Sequence, residues 1–241
     1  MIEKAAAFGE RVHGFTGRLG GVSKGRYASL NLGKRWGDDP AAVAENYRRV
    51  AVAAGFRVET LRQVVQVHGA RVRRARDVTF DDQADALWVH RDDGPLVAGV
   101  LTADCVPILL TDVDGTVAAA VHSGWKGTVA DIAAATVRVL SERVPAATLL
   151  AAIGPCIELE AFEVGEEVAA QFPAEFVRRA EGRRPHVDLV ATVRDQLMAA
   201  GVQVEAISRV GGCTFSDPGR YFSYRRDGAG IGQLMAFIGL G

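Results

Sequence analysis

Two imidazoles and one thiol in this chain are groups able to hold a metal: His68 in Gln66-Val67-His68-Gly69, Cys105 in Thr102-Ala103-Asp104-Cys105, and His122 in His122-Ser123-Gly124-Trp125. Each sits at the edge of an apolar, strand-like run, in a chain with only three cysteines. A thiolate and two neutral imidazoles make three corners of a tetrahedral zinc site, and the fourth corner would take water or substrate. The trio follows neither C-x-x-C nor H-E-x-x-H spacing, so the fold itself must bring the ligands together. On its position alone, Cys105 reads as a small buried apolar residue.

The elements around the trio supply the missing geometry. Residues 97–110 and 117–121 are strand-like runs joined by the turn Asp112-Val113-Asp114-Gly115, a pattern that predicts a hairpin. With the loop at 113–114 or 112–115, Cys105 and His122 stand directly opposite, their Cβ atoms roughly 5 Å apart. With Asp114-Gly115 as the loop, the pair becomes diagonal but stays on one face. A helix is predicted over 127–143, with Thr128 and Asp131 spaced like a capping box and Ile132, Ala135 and Val139 on its apolar face. Its amino end lies just past His122, where free N–H groups and Lys126 form an anion site beside the metal.

Elsewhere, Asp38-Asp39-Pro40 opens a helix that runs to Ala54 and stops at Gly55. Strands are expected ending at His68 and over 71–75, 84–89, 149–153, 202–210 and 234–238, with further helices over 162–172 and 186–200. Strands outnumber simple strand–helix units and the central hairpin is antiparallel, so the expected class is α+β with mixed sheets rather than a doubly wound parallel sheet. The length of 241 residues suits one large core, hence a single domain over 1–241.

Acid and base are interspersed to a net charge of −1, which gives no footprint for nucleic acid or an anionic membrane and leaves a small-molecule partner. The amino terminus Met1-Ile2-Glu3-Lys4 lacks a leader pattern, and no run of about 18 apolar residues occurs, so a cytoplasmic location is expected. Nothing in the pattern sets an oligomeric state. Cys156 and Cys213 have no histidine nearby in sequence, and His13, His90 and His186 read as surface or hydrogen-bonded core residues. In Phe222-Ser223-Tyr224-Arg225-Arg226-Asp227, two guanidinium groups beside aromatic rings could clamp a phosphate or stack on a heterocycle, or Asp227 could hold them in a structural ion pair.

Taken together, His13-Gly14-Phe15-Thr16, Gly20-Gly21-Val22-Ser23, Ser29-Leu30-Asn31-Leu32-Gly33, Gly37-Asp38-Asp39-Pro40, Gln66-Val67-His68-Gly69, Thr102-Ala103-Asp104-Cys105, His122-Ser123-Gly124-Trp125-Lys126-Gly127, Ile153-Gly154-Pro155 and the Phe222–Asp227 segment resemble the YfiH-type family, also called peptidoglycan editing factor or laccase-like purine nucleoside phosphorylase. The resemblance is collinear over nearly the whole chain. It implies an αββα-type sandwich with zinc at His68, Cys105 and His122, and phosphorolysis of purine nucleosides including adenosine, inosine and methylthioadenosine. Adenosine deamination, copper-dependent phenol oxidation and a cell-wall precursor amidase role are also attributed to the family. The chain departs from the family pattern at Ser123, often Ala, at Glu158-Leu159, often a second Gly-Pro, and near Gln233, where an Arg is common. The last two bear on substrate detail and leave the metal trio intact.

The leading expectation is a zinc-dependent enzyme acting on a purine nucleoside and phosphate. Because phosphate attacks the anomeric carbon as the base leaves, a cation near the phosphate matters more than a strong base, and the candidates are Lys126, Arg225, Arg226 and, more weakly, Arg48. Asp104 could orient a ligand or accept a proton. A single N/N/S site lacks the several copper centres of a laccase, although copper could occupy it opportunistically as the tighter-binding ion. Two other readings keep the residues: Cys105 as nucleophile with His122 as base in a cysteine hydrolase acting on cell-wall precursors, or a binding module without catalysis.

Overall fold

The computed structural model describes residues 2–240. In chain order the strands are β1 (Ile2–Glu3), β2 (His13–Thr16), β3 (Leu61–Arg62), β4 (Val72–Arg74), β5 (Ala86–His90), β6 (Val97–Thr102), β7 (Val106–Asp112), β8 (Val117–Ser123), β9 (Leu149–Ile153), β10 (Val177–Arg178), β11 (His186–Val187), β12 (Ile207–Arg209) and β13 (Leu234–Gly239). The helices are α1 (Pro40–Ala54), α2 (Trp125–Val129), α3 (Ile132–Ser141), α4 (Glu166–Ala169), α5 (Leu189–Ala199) and α6 (Tyr224–Asp227). β10 pairs only with β11, in a separate two-stranded sheet; of the two large sheets, one has the order β1-β2-β13-β6-β3 and the other β12-β9-β7-β8-β5-β4. Both are mixed: β3 runs parallel to β6, and β12 to β9 and β4 to β5, while the remaining pairs are antiparallel.

The layers follow from alternation along the strands. On β7 and β8, Leu109, Ala118 and Ala120 face Ala98, Val100, Ala236 and Ile238 of the other sheet, while Ile108, Leu110, Ala119 and Val121 face Ile132, Val137 and Leu140 of α3 and Val193 and Leu197 of α5. Both faces of these strands are buried, so they read as unbroken apolar runs rather than as alternating ones. The outer face of the first sheet, with Val97, Met235 and Phe237, is covered by Val43, Tyr47, Val50 and Ala54 of α1. The stack is therefore α1, sheet, sheet, α3 with α5: an αββα sandwich of α+β class with mixed sheets, as expected.

Several boundaries differ from the expected ones, each for a local reason. The run 97–110 is two strands in two different sheets, because the chain turns at Asp104, whose φ of 95° no regular strand accommodates. The hairpin takes the diagonal register, with Pro107 rather than Cys105 opposite His122. Asp112 fixes that choice, its Oδ1 accepting from the backbone N–H groups of Thr116 and Val117 at 2.6 and 2.8 Å. The helix expected over 127–143 is broken into α2 and α3 by Asp131 at φ 60°. With five residues, α2 is too short to present the amino-terminal anion site expected there. The 162–172 helix shrinks to the four residues of α4, the helix over 186–200 begins only at Leu189 after β11, and 202–210 contributes only β12. The segment before His68 holds the two-residue β3 and an isolated bridge at Val65, and His68 itself lies in a loop.

Candidate metal centre

Three chain segments converge at one end of the sandwich, and a single carboxylate ties two of them together. His122 sits at the end of β8, where its backbone N–H donates to the Asp85 carbonyl at 2.7 Å and its ring Nδ1 lies 2.9 Å from Asp85 Oδ1. The same carboxylate accepts the backbone N–H groups of Val67, His68 and Gly69 at 3.3, 2.8 and 2.7 Å. These bonds hold His68 at φ 60°, a left-handed conformation costing a non-glycine residue roughly 1–2 kcal/mol. Cys105 arrives on the crossover between β6 and β7. That crossover is pinned by Asp104, whose Oδ1 accepts from the Thr214 hydroxyl at 2.5 Å and whose Oδ2 accepts from the Arg225 backbone N–H at 2.6 Å.

The ligand atoms of His68, Cys105 and His122 all lie within 4.8 Å of one another. Gly124 fits tightly against them, since a Cβ there would stand 2.8 Å from His68 Cδ2 and 3.0 Å from Cys105 Sγ. Exposure is graded, with His122 buried, Cys105 partly covered and His68 open, so the approach to the cluster is from the His68 side. Burial alone would raise the Cys105 thiol, but the neighbouring His122 and His68 bring it down to about 6. Burial would likewise discharge His122, yet Cys105 and Asp85 raise it to about 9. Asp85 itself is below the usual carboxylate range: its burial works the other way and is outweighed by the His122 hydrogen bond and the backbone N–H donors. The electrostatics thus favour a thiolate, and the Asp85 contact takes up Nδ1 of His122 and leaves Nε2 free to ligate. The donor set fits a thiophilic, imidazole-binding ion such as zinc.

The cluster forms part of the wall of a cleft of about 620 Å³, along with the rings of Trp36, Phe80, Trp125, Phe162 and Tyr224 and the cations Lys34, Arg35 and Arg225. The residues expected from sequence are distributed unevenly around it. Arg225 reaches the wall, its guanidinium donating to the carbonyl oxygens of Glu163 at 2.7 Å and Ala161 at 3.4 Å and lying over the Phe162 ring. Asp104 also lines it, with both oxygens already accepting hydrogen bonds.

Three expected cations lie elsewhere. Lys126 is exposed beside the cleft with its ammonium over Trp125. Arg226 is turned into the protein, donating to the carbonyls of Thr214, Phe215 and Tyr221 and pairing with Asp227, which is the structural role weighed for it. Arg48 points outward from α1 into an ion pair with Glu45. Cys156 is buried, its thiol pushed up to about 12 by that burial; it and Cys213 are both free thiols, their backbones paired in an isolated parallel β-bridge. His13 is a hydrogen-bonded core residue. Asp85 was not anticipated, although a lone acid inside the apolar run 84–89 was a legible sign of a buried, partnered carboxylate.

Among curated relatives, a protein of Deinococcus radiodurans named purine nucleoside phosphorylase is 45% identical over 233 residues, spanning 95% of this chain and 88% of that one. The purine nucleoside phosphorylase YfiH of Escherichia coli is 35% identical over 229 residues, spanning 92% of this chain and 91% of its own length. The crystal structure of YlmD from Geobacillus stearothermophilus superposes with a TM-score of 0.89 at 32% identity, covering 98% of this chain and 93% of that one. The family model described as multi-copper polyphenol oxidoreductase laccase matches residues 12–241. The fold, the convergence of His68, Cys105 and His122, and these likenesses agree, and the chain belongs to the YfiH-type, laccase-like family.

Proposed function

We propose that this protein is a zinc-dependent purine nucleoside phosphorylase acting on adenosine, inosine and methylthioadenosine, with adenosine deamination as an accompanying activity. The observation that carries the reading is the His68–Cys105–His122 cluster set in a cleft walled by aromatic rings and cations, in a chain whose relatives are named for that reaction. Zinc bound there would supply a Lewis acid and a fixed positive charge beside the reacting groups. The chain's own residues do the rest. Cys105 presents a thiolate, and Asp85 keeps the His122 ring in one tautomer and orientation. Trp36, Tyr224 and Phe162 offer flat faces against which a purine stacks. In phosphorolysis a phosphate oxygen bonds to the anomeric carbon as the bond to the purine nitrogen breaks, so negative charge passes from the incoming phosphate to the departing base, and cations must hold the one and stabilise the other. A positive cleft lowers that barrier.

The decisive experiment pairs metal analysis of the purified protein with adenosine turnover in the presence and absence of phosphate, for wild type and His122→Ala. Adenine release that requires phosphate identifies a phosphorylase, and inosine formation without phosphate identifies a deaminase. Unchanged turnover in His122→Ala removes the centre from the chemistry.

One observation also favours a second reading. Cys105, His122 and Asp85 are linked in the order nucleophile, base and orienting carboxylate, which is the arrangement of a cysteine hydrolase such as an amidase acting on cell-wall precursors. That enzyme would work after chelation and be killed by alkylation of Cys105, whereas the zinc enzyme would lose activity to chelators and be shielded from alkylation by its metal.

A further inference from the structure

The cations on the cleft wall are not equivalent. Arg225 is committed to the carbonyls of Glu163 and Ala161, while Lys34 and Arg35 are both exposed at the lip and differ in what surrounds them. Asp104, the carboxylate on that wall, is held by the Thr214 hydroxyl and the Arg225 backbone N–H and forms no ion pair with Lys34. Lys34 is different. Its Nζ lies 4.8 Å from the Tyr47 ring centroid and 4.9 Å from that of Phe80, and it forms no ion pair or hydrogen bond with a described residue. Burial against these rings holds the ammonium below the usual lysine value. Ring faces soften the loss of water but accept none of its three N–H bonds.

Two amides complete the corner. The Tyr47 hydroxyl, between the Leu32 carbonyl at 2.7 Å and Gln63 Oε1 at 2.9 Å, orients the Gln63 amide, whose Nε2 has only the sulfur of Met235 at 3.6 Å. Gln233 packs over Gly33, the residue before Lys34, where a Cβ would come within 2.5 Å of its Oε1, and its side chain makes no hydrogen bond to a described residue. Lys34, Tyr47, Gln63 and Phe80 also line a second cavity of about 710 Å³, so the ammonium stands at the neck between the two.

We infer that Lys34, flanked by the side-chain amides of Gln63 and Gln233, is the oxyanion subsite of the cleft and holds inorganic phosphate at the neck between the two cavities. As a role in catalysis this rests on phosphorolysis being the reaction. An ammonium with unfilled donors, in a cleft whose wall also carries the side-chain amides of Gln63 and Gln233, is the chemistry a phosphate requires, whereas a neutral sugar or base would leave the charge unpaired.

The test is direct binding of inorganic phosphate by calorimetry, alongside phosphate KM with a purine nucleoside, for wild type, Lys34→Gln, Lys34→Arg and Lys24→Gln. Lys24 is exposed outside both cavities and controls for net charge. Lys34→Gln should weaken phosphate binding and raise its KM about tenfold or more, with Lys34→Arg recovering much of the loss and Lys24→Gln matching wild type. Phosphate binding equal to wild type in Lys34→Gln overturns the assignment, as does absence of phosphate binding by the wild type. Preferential capture of a nucleoside 5′-phosphate through Lys34 overturns it too, since the ammonium would then serve a nucleotide. The two readings fail separately: phosphate bound through Lys34 without phosphate-dependent turnover sinks the phosphorylase, and phosphate-dependent turnover with an unchanged KM in Lys34→Gln sinks the subsite alone.

Discussion

Asp85 Oδ1 lies 2.9 Å from Nδ1 of His122, and the two oxygens of that carboxylate also take up three backbone N–H groups of the loop that carries His68. One buried acid therefore sets the tautomer of one candidate ligand and the backbone of another.

Asp85→Asn should consequently weaken the centre more than it weakens the fold. An amide still accepts on one side, but its NH₂ faces donors on the other, and the His122 ring loses its anionic partner. Zinc affinity should fall about 10- to 100-fold, the usual range for a lost orienting partner, measured by competition with a chromogenic chelator. Retention of wild-type affinity would separate Asp85 from the metal site.

Gly124→Ala probes the same centre sterically. The added methyl would meet His68 Cδ2 at 2.8 Å and Cys105 Sγ at 3.0 Å, so these side chains must part. The φ of −72° at Gly124 suits alanine, so the backbone is not strained by the change. The expected outcome is loss of bound metal and of nucleoside turnover with little change in melting temperature. A variant that keeps stoichiometric metal would show that the cluster relaxes more easily than its packing indicates.

In metal-free protein the Cys105 thiol sits at about 6, because His122 and His68 overcome the upward pull of burial. Iodoacetamide should therefore react readily at pH 7, and the rate should fall as pH drops through about 6 and the thiolate protonates. His122→Ala removes the main partner and should move that midpoint upward. Zinc should protect the thiol in the wild type. A midpoint near the ordinary thiol value of about 8.5 in the wild type would contradict the coupling.

What the sequence made legible divides along physical lines. Helix α1 could be read to the residue because its stops are local: the Asp39 side chain accepts from Ala41 N at 2.9 Å, Pro40 fills the first turn, and Gly55 takes φ 78°. Strand β9 was equally plain, being a short apolar run between breaks. The three side chains that cluster as a candidate metal site were legible from residue type, but their geometry was not, since Cys105 lies on a crossover rather than within a strand. What escaped were positions where tertiary contacts override propensity. Asp104 turns the chain from one sheet to the other with its carboxylate accepting from the Thr214 hydroxyl and the Arg225 backbone N–H, more than a hundred residues away. Asp131, spaced like a capping partner for Thr128, instead breaks the helix, and the Thr128 hydroxyl bonds Ser123 and the Gly124 carbonyl. Cations differed in the same way: Arg226 and Lys34 look alike in a sequence, yet one is turned into backbone carbonyls and the other is left with unfilled donors.

The carboxylate of Asp93 gives a stability test away from the cleft. Its side chain is fully covered and accepts from Arg74 Nε and Nη2 at 3.0 and 2.7 Å and from the His90 backbone N–H at 2.9 Å, which ties β4 to the end of β5. Burial would raise it, but the Arg74 fork and the His90 N–H hold it below the usual carboxylate range. A carboxyl depressed in the folded state adds stability at pH values above its unfolded value of about 3.9, and that contribution fades as pH falls through the lower folded value. Asp93→Asn should therefore cost about 1–3 kcal/mol at pH 7, read from urea unfolding. The gap to wild type should narrow progressively as the titration is taken into the acid range. A gap that stays constant down to the acid limit would mean that the loss comes from packing around Arg74 and Trp88, whose side chains also stack at 5.0 Å, rather than from the charge of Asp93.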